Sequence, residues 1–147
     1  MGVKDGKNYP ILIAEKKNQG TNDQRIKEGK PRQAQGNAIE RLGKNVIGFR
    51  GMFLHESIFP FVCFGDGCDF DEQGSILDRM KTIAMFGELN KECLYREGTF
   101  FNRGTFYFRV QEWSQQEMEE RCYVIAEKSI YYYFSKYGKS FFESITQ

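Results

Sequence analysis

The chain has 147 residues, of which 40% are hydrophobic and 16% aromatic, so it has the size of one domain and enough apolar residues for a core. Its apolar runs are too short for a transmembrane helix, and its first ten residues lack the apolar segment of a signal peptide. The net charge is +1, but the charges are distributed unevenly. Residues 1–50 carry eleven basic and five acidic residues, whereas residues 51–147 carry ten basic and fifteen acidic ones. This excess of basic residues permits an anionic partner near the N-terminus.

The N-terminal third predicts a strand, a long loop and a helix. The segment YPILIAEKK at 9–17 has an apolar run at 11–14 that ends in charges, which is typical of a buried strand with a solvated end. Residues 18–37 are polar and predict a loop, whose basic residues either bind a partner or are simply solvated. From about residue 39 to residues 55–57, apolar residues at steps of three and four predict a helix with one buried face: Ile39, Leu42, Val46, Phe49 and Phe53.

The rest of the chain predicts alternating strands and helices. The elements expected in order are a buried strand at 59–65, an acidic surface loop at 66–74, a helix at 76–86, one or two strands within 99–113, and helices at 115–136 and 140–146. Strands that alternate with helices predict an α/β domain with a mixed β-sheet flanked by helices.

The cysteine and histidine content argues against two kinds of site. The four cysteines form no CxxC pair, and His55 is the one histidine, so the sequence predicts neither a zinc site nor a disulfide framework. We expect a surface or packing role for His55. Reduced cysteines are typical of a cytoplasmic protein, and the sequence predicts no membrane association.

An acid and a base lie two residues apart at the end of the first predicted strand. Because side chains alternate along a strand, Glu15 and Lys17 are expected on one face. A carboxylate can hold Mg²⁺ through a hard oxygen, and an ammonium beside it can orient a water or stabilise charge on a phosphate. The alternative is a solvated strand end, because the E-x-K spacing is common.

Three segments in order resemble the EcoRI family of type II restriction endonucleases: IAEKKNQG, GNAIERLGKN and FLHESIFPFVCFGDGCDF. The resemblance spans residues 9 to about 79, and GNAIER is its most specific part. It implies a PD-(D/E)xK nuclease core, with 1–147 forming a single partial domain, a catalytic strand at 9–17, and a recognition loop and helix at 18–57. It also implies Mg²⁺-dependent hydrolysis of double-stranded DNA by a homodimer at a palindromic site.

The resemblance implies roles for residues at the strand end. Glu15 and Lys17 match the second carboxylate and the lysine of the catalytic motif. Lys16 stands where the family lends a backbone carbonyl to the metal. Gln19 matches a glutamine that approaches the recognised bases.

The resemblance also implies a segment that reads DNA. The matching residues are Asn37, Ala38, Glu40 and Arg41, which correspond to the family's readers of adenines in an AATT core. Gly36 and Ala38 lead us to expect an extended backbone that enters the major groove closely. Lys44 is expected to contact phosphate. The matches to the outer base pair are Gln33, Ala34 and Arg79.

The sequence departs from the family pattern at three places. It contains no Pro-Asp pair before Glu15, and Asp5 is the one earlier acid. The N-terminal part of the family is expected to be missing, through a fragment, a misassigned start or a decayed gene, so we expect poor cleavage by this chain. A DNA-binding remnant without cleavage is the alternative. Gln33 stands where the family has methionine, and Thr82 replaces a second arginine, so the outer base preference stays open.

Overall fold

The structure is a computed structural model that describes seven segments of the chain: residues 2–4, 6–20, 22–32, 36–71, 79–81, 90–94 and 103–140. For residues 2–4 and 36–39 it describes the backbone alone.

Three parallel strands form the main sheet of the described residues. They are β3 (Ile13–Asn18), β4 (Phe61–Asp66) and β5 (Thr105–Phe108), in the order β3-β4-β5. The central strand β4 is buried at every position, as expected for a parallel strand that is covered on both faces. An isolated antiparallel bridge joins Lys91 to Phe106 of β5.

A helix packs on each face of this sheet. On one face, Leu42 and Val46 of α2 (Gly36–Gly51) join a core cluster with Phe61 of β4. On the other face, Ile125 of α3 (Gln115–Tyr137) packs in a cluster with side chains of β4 and β5. The predicted α/β class, with a sheet flanked by helices, is confirmed.

The first predicted strand is divided in the structure. The strands β1 (Gly2–Lys4) and β2 (Lys7–Tyr9) form an antiparallel hairpin, and β3 begins only at Ile13. The prediction of one strand over 9–17 was therefore wrong at its start. Pro10 follows β2 directly and has no amide hydrogen to donate to a neighbouring strand. The extended segment is therefore interrupted at Pro10, and a separate strand, β3, begins at Ile13. Residues along β3 alternate between half-buried and exposed, because this strand has one other strand beside it.

The segment predicted as a loop over 18–37 contains a short helix, α1 (Asp23–Lys27), and ends where α2 begins. The expected extended backbone at GNAIER was wrong, because α2 starts at Gly36 and includes this motif. Glycine and asparagine are well tolerated where a helix starts, so the helix extends back past Ile39. It ends at Gly51, and a turn follows over residues 52–55 instead of the predicted helix to 55–57.

The described part of the acidic segment predicted as a surface loop at 66–74 is not such a loop, and residues 72–74 lie outside the described residues. Asp66 is the last residue of β4, and Asp69 lies in a 3-10 turn, Cys68–Phe70. Both side chains are buried, at 1% and 4% exposure. Asn18 donates to Asp66 at 2.9 Å, which offsets part of the cost of burying that carboxylate. Asn22 donates to Asp69 Oδ1 at 2.6 Å, whereas Asp69 Oδ2 is buried without a hydrogen-bond partner among the described residues.

The long C-terminal helix agrees with its prediction. Ser114 and Glu117 form a capping box at its start, in which the Ser114 hydroxyl accepts from the Glu117 amide. Near its end, Tyr132 and Tyr137 donate hydroxyl hydrogen bonds to Glu56 at 2.7 Å, which attaches the helix to the segment before β4.

The remaining predictions are tested only in part. The strand predicted within 99–113 is β5, and residues 79–81 of the helix predicted at 76–86 are helical. The other residues of that helix, and most of the helix predicted at 140–146, lie outside the described residues. His55 is exposed, as expected. In the described part of the chain, no helix is long and apolar enough to cross a membrane.

Candidate nuclease site

The predicted acid and base lie together on β3. The Nζ of Lys17 is 2.5 Å from Oε1 of Glu15, and both side chains are largely buried, with 18% and 16% exposure. They point to the face of the sheet that α2 covers, because they alternate with the exposed residues of the strand. The expectation that they share one face of the strand, near its end, agrees with the structure.

The two oxygens of Glu15 differ in their contacts with the described residues. Asn45 of α2 donates from Nδ2 to Glu15 Oε1 at 2.9 Å, so Oε1 accepts from both Asn45 and Lys17. Glu15 Oε2 is buried and has no hydrogen-bond partner in the described part of the chain. A buried carboxylate oxygen without a partner is unfavourable unless a cation or a hydrogen-bond donor reaches it. Oε2 of Glu15 is therefore available to bind a ligand.

Lys16 differs from Lys17 in side-chain direction. Its Nζ lies 3.3 Å from both Asp66 and Glu112, on the opposite face of β3. The hydrogen bond to Asp66 and, to a lesser degree, that to Glu112 raise the pKa of Lys16 despite some desolvation. The side chain of Lys16 therefore belongs to a structural ion pair and not to the Glu15 site.

The backbone of Lys16 is placed differently. The amide of Ile13 donates to the carbonyl of Pro60, just before β4, and the amide of Gln19 donates to the carbonyl of Asp66, the last residue of β4. Backbone groups alternate in direction along a strand, so the carbonyl of Lys16 points away from β4. Among the described strands β3 is at the edge of the sheet, which leaves this carbonyl on the open side.

A buried thiol forms the surface beside the acid. Cys63 is the β4 residue in register with Glu15 and has 0% exposure. Burial is the main cause that raises the pKa of Cys63, and the charge of Glu15 adds to it while Lys17 opposes it. The thiol is therefore neutral at physiological pH and serves as an apolar neighbour that lowers the local dielectric around the carboxylate.

Gln19 lies just past the end of β3, where two strand ends meet. Its carbonyl accepts from the amide of Asp69 at 3.1 Å, and its side chain is 8% exposed. The Oε1 of Gln19 is buried and has no hydrogen-bond partner within the segments that the structure describes. Gln19 is therefore buried beside the ends of β3 and β4. The contact of Gln19 with DNA bases stays a prediction.

The exposed side of α2 carries three of the candidate DNA-binding residues. Glu40, Arg41 and Lys44 are exposed, and Arg41 and Lys44 are three residues apart on one face of the helix. Asn37 and Ala38 lie in the first turn of the same helix. Arg79 is exposed in the helical stretch 79–81, whereas Gln33 and Ala34, like Asp5 and Thr82, lie outside the described residues.

Asn45 is a residue of this site that the sequence interpretation missed. It falls three residues after Leu42 and four before Phe49, both of which belong to the apolar stripe of α2. A polar residue beside such a stripe must find a partner when the helix packs, and this signal was available from the spacing. Which partner it finds depends on the sheet beneath the helix.

The described residues fit a divalent metal at this end of β3. The orphaned Oε2 of Glu15 and the outward carbonyl of Lys16 are hard oxygen ligands of the kind that Mg²⁺ prefers. Within the described segments, no group of three or more His, Cys, Asp or Glu residues is arranged to hold a metal ion.

Sequence comparison identifies relatives of this chain. The family model for restriction endonuclease EcoRI matches residues 2–76, which is more than half of the chain. The type II restriction enzyme RsrI of Cereibacter sphaeroides is 28% identical over 155 residues, covering 82% of this chain and 56% of that enzyme. The type II restriction enzyme EcoRI of Escherichia coli is 38% identical over 94 residues, covering 58% of this chain and 34% of that enzyme.

The chain belongs to the EcoRI family of restriction endonucleases, as its motifs suggested. The matched segment contains β3, α2 and β4, and therefore the Glu15–Lys17 pair and the exposed side of α2. The chain spans 56% and 34% of the lengths of these two relatives.

Proposed function

We propose that this protein is a type II restriction endonuclease that hydrolyses double-stranded DNA at a palindromic site containing AATT, with Mg²⁺ as cofactor. The observation that carries the proposal is the Glu15–Lys17 pair on β3, with the unpartnered Oε2 of Glu15 beside it. The membership in the EcoRI family supports the same reaction class.

In the proposed mechanism, Glu15 Oε2 and the Lys16 carbonyl would hold the metal, which would supply Lewis acidity at the scissile phosphate. Lys17 has three ammonium donors, of which Glu15 uses one, so the others can hold the attacking water and stabilise negative charge on the phosphate. One P–O bond forms to the water oxygen as that water releases a proton to solvent. One P–O bond to the leaving sugar oxygen breaks, and that oxygen takes up a proton from solvent, so the net reaction is hydrolysis.

Recognition is proposed to involve α2 and the residues that precede it. Arg41 and Asn37 can bond to adenine edges, Glu40 can accept from an adenine amino group, and Lys44 can neutralise a phosphate. The remaining proposed DNA contacts are made by Gln19, Gln33, Ala34, Ala38 and Arg79. We propose a homodimer, because a two-fold protein matches a palindrome, and a cytoplasmic location, because the proposed substrate is cellular DNA.

A DNA-binding protein without cleavage is the second candidate, because the exposed Arg41 and Lys44 of α2 can bind DNA whether or not the Glu15–Lys17 pair acts on it. Digestion of a plasmid library by this chain, with Mg²⁺ or with EDTA, tests both functions. We expect slow, Mg²⁺-dependent cutting at sites that contain AATT. Sequence-specific binding without cuts would favour the second candidate, and neither binding nor cutting would refute the proposal.

A further inference from the structure

Asn45 connects the helix proposed to read DNA with the carboxylate proposed to hold the metal. Its Nδ2 lies 2.9 Å from Glu15 Oε1, across 30 residues of sequence. We infer that Asn45 is a positioning residue, which fixes the Glu15 carboxylate so that Oε2, and not Oε1, is presented to the cation. This inference rests on the proposed function and extends it to a residue outside the predicted site.

The ion pair with Lys17 cannot fix the carboxylate by itself. The ammonium is a compact charge on a flexible stem and can follow either oxygen of Glu15 as the carboxylate turns. The terminal torsion of glutamate is broad and nearly two-fold, so the two oxygens can exchange places at little cost. A directional amide hydrogen bond from a second element removes this freedom, because it holds one oxygen at a defined point.

The element that supplies this bond is the helix α2, which also carries the exposed candidates for DNA contact. Asn45 lies between Lys44, which is exposed, and Val46, which is 1% exposed in the core. A displacement of the helix by about 1 Å would lengthen the 2.9 Å bond beyond the hydrogen-bonding range. The seating of α2 on DNA is thereby coupled to the orientation of Glu15.

The chain offers a matched control on the opposite face of the same strand. Asn18 also donates an amide hydrogen bond to a carboxylate, at 2.9 Å from Asp66 Oδ1. Removal of Asn18 deletes the same kind of amide-to-carboxylate contact, together with a hydrogen bond that its Oδ1 accepts from the Gly20 amide, but it leaves the contacts of Glu15 in place.

The experiment compares the full-length protein with its Asn45→Ala, Asn45→Leu and Asn18→Ala variants. Leucine keeps the branched shape and the number of side-chain heavy atoms of asparagine, in a larger volume and without the amide donor. Mn²⁺ affinity of each protein on duplex DNA is measured by electron paramagnetic resonance, and metal-free DNA affinity is measured in parallel. We expect both Asn45 variants to lose about tenfold in Mn²⁺ affinity, as for other residues that orient a metal ligand. Metal-free DNA affinity should stay within about twofold, as should the Mn²⁺ affinity of Asn18→Ala.

A second readout separates positioning from a folding defect. Because the loss is in metal affinity, higher Mg²⁺ should restore the cleavage rate of the Asn45 variants, whereas a folding defect would not respond. Wild-type Mn²⁺ affinity in both Asn45 variants, or an equal loss in Asn18→Ala, would overturn the inference while leaving the proposed function intact. If the wild-type protein itself neither binds Mn²⁺ nor cuts DNA, the proposed function fails instead.

Discussion

The Nζ of Lys17 and Oε1 of Glu15 lie 2.5 Å apart on one face of β3, while the side chain of the intervening Lys16 binds Asp66 on the other face. Two adjacent lysines therefore have different environments, although their sequence neighbourhoods are nearly the same. The difference comes from the two-residue repeat of the strand and from what covers each face. It makes the role of each lysine separately testable.

Substitutions of Glu15 or Lys17 should reduce the rate of DNA cleavage much more than they reduce DNA affinity. Glu15→Gln removes the charge that holds the proposed metal, and Lys17→Met removes the proposed donor to water and phosphate. We expect each to lower kcat by about a hundredfold to a thousandfold, a size typical for loss of one electrostatic contact to the transition state. Single-turnover cleavage and filter binding measure the two effects.

Lys128→Met serves as the control for these variants, because Lys128 of α3 forms an ion pair with Glu92 and not with a residue of β3. Its cleavage rate should match that of the wild type. An unchanged rate in Lys17→Met would remove Lys17 from the proposed mechanism.

Two substitutions on the exposed side of α2 should differ in their dependence on DNA sequence. Arg41→Ala should weaken binding to AATT duplexes by about 1–3 kcal/mol and leave scrambled duplexes nearly unaffected, because a base contact carries sequence information. Lys44→Ala should weaken both duplexes alike and reduce the slope of log Kd against log salt, because a phosphate contact does not discriminate. Titrations at two salt concentrations measure both.

The alternative for Arg41 is a surface charge that contributes little. Equal losses for Arg41→Ala and Lys44→Ala on both duplexes would support that alternative and contradict base reading by α2.

Gly65→Ala should destabilise the fold. Gly65 is in register with Lys17, and an added Cβ would lie 2.3 Å from Phe108 and 2.6 Å from Phe70, whose rings stack at 4.7 Å. We expect a loss of about 1–3 kcal/mol in the free energy of unfolding, the usual cost of overpacking a core. Urea denaturation followed by circular dichroism measures it.

Gly48→Ala is the matched substitution with the opposite expected sign. Gly48 lies within α2, and an added Cβ there meets nothing within 4 Å. Alanine is the better helix former, so we expect a gain of about 0.5–1 kcal/mol. A gain at both positions would contradict the packing described around Gly65.

The ion pair at the start of α3 should make stability depend on acid pH. The hydrogen bonds from Arg109, with those from Ser114, lower the pKa of Glu117 from 4.5 to about 2. Because this carboxylate has a lower pKa in the folded protein than in the unfolded chain, its contribution is present above pH 4.5 and is lost as pH falls toward 2. Urea denaturation at a series of pH values should show stability falling in that window.

Glu117→Gln should flatten this part of the pH profile, because the amide does not titrate. Glu119→Gln is the control, since Glu119 lies on the same turn of α3 but accepts from Gln115 instead of an arginine. An identical profile for Glu117→Gln and the wild type would contradict the role assigned to Arg109 and Glu117.

The sequence determined by itself the features that follow local repeats. The two-residue repeat of a strand put Glu15 and Lys17 on one face, and the apolar spacing of Leu42 and Val46 predicted the buried side of α2. The motifs IAEKKNQG and GNAIER indicated the family, because an unusual set of residue types in a fixed order can be recognised from the sequence without a structure.

Only the tertiary structure decided the contacts between elements that are distant in sequence. The pairing of Asn45 with Glu15 and the burial of Asp66 and Asp69 required α2, β3 and β4 to be packed together. Local propensity also left the start of α2 undecided, since Gly36 suits an extended segment and a helix start equally. A repeat of two or of about 3.6 residues specifies which face a side chain occupies, whereas its partner is set by long-range packing, for which a single sequence carries no local signal.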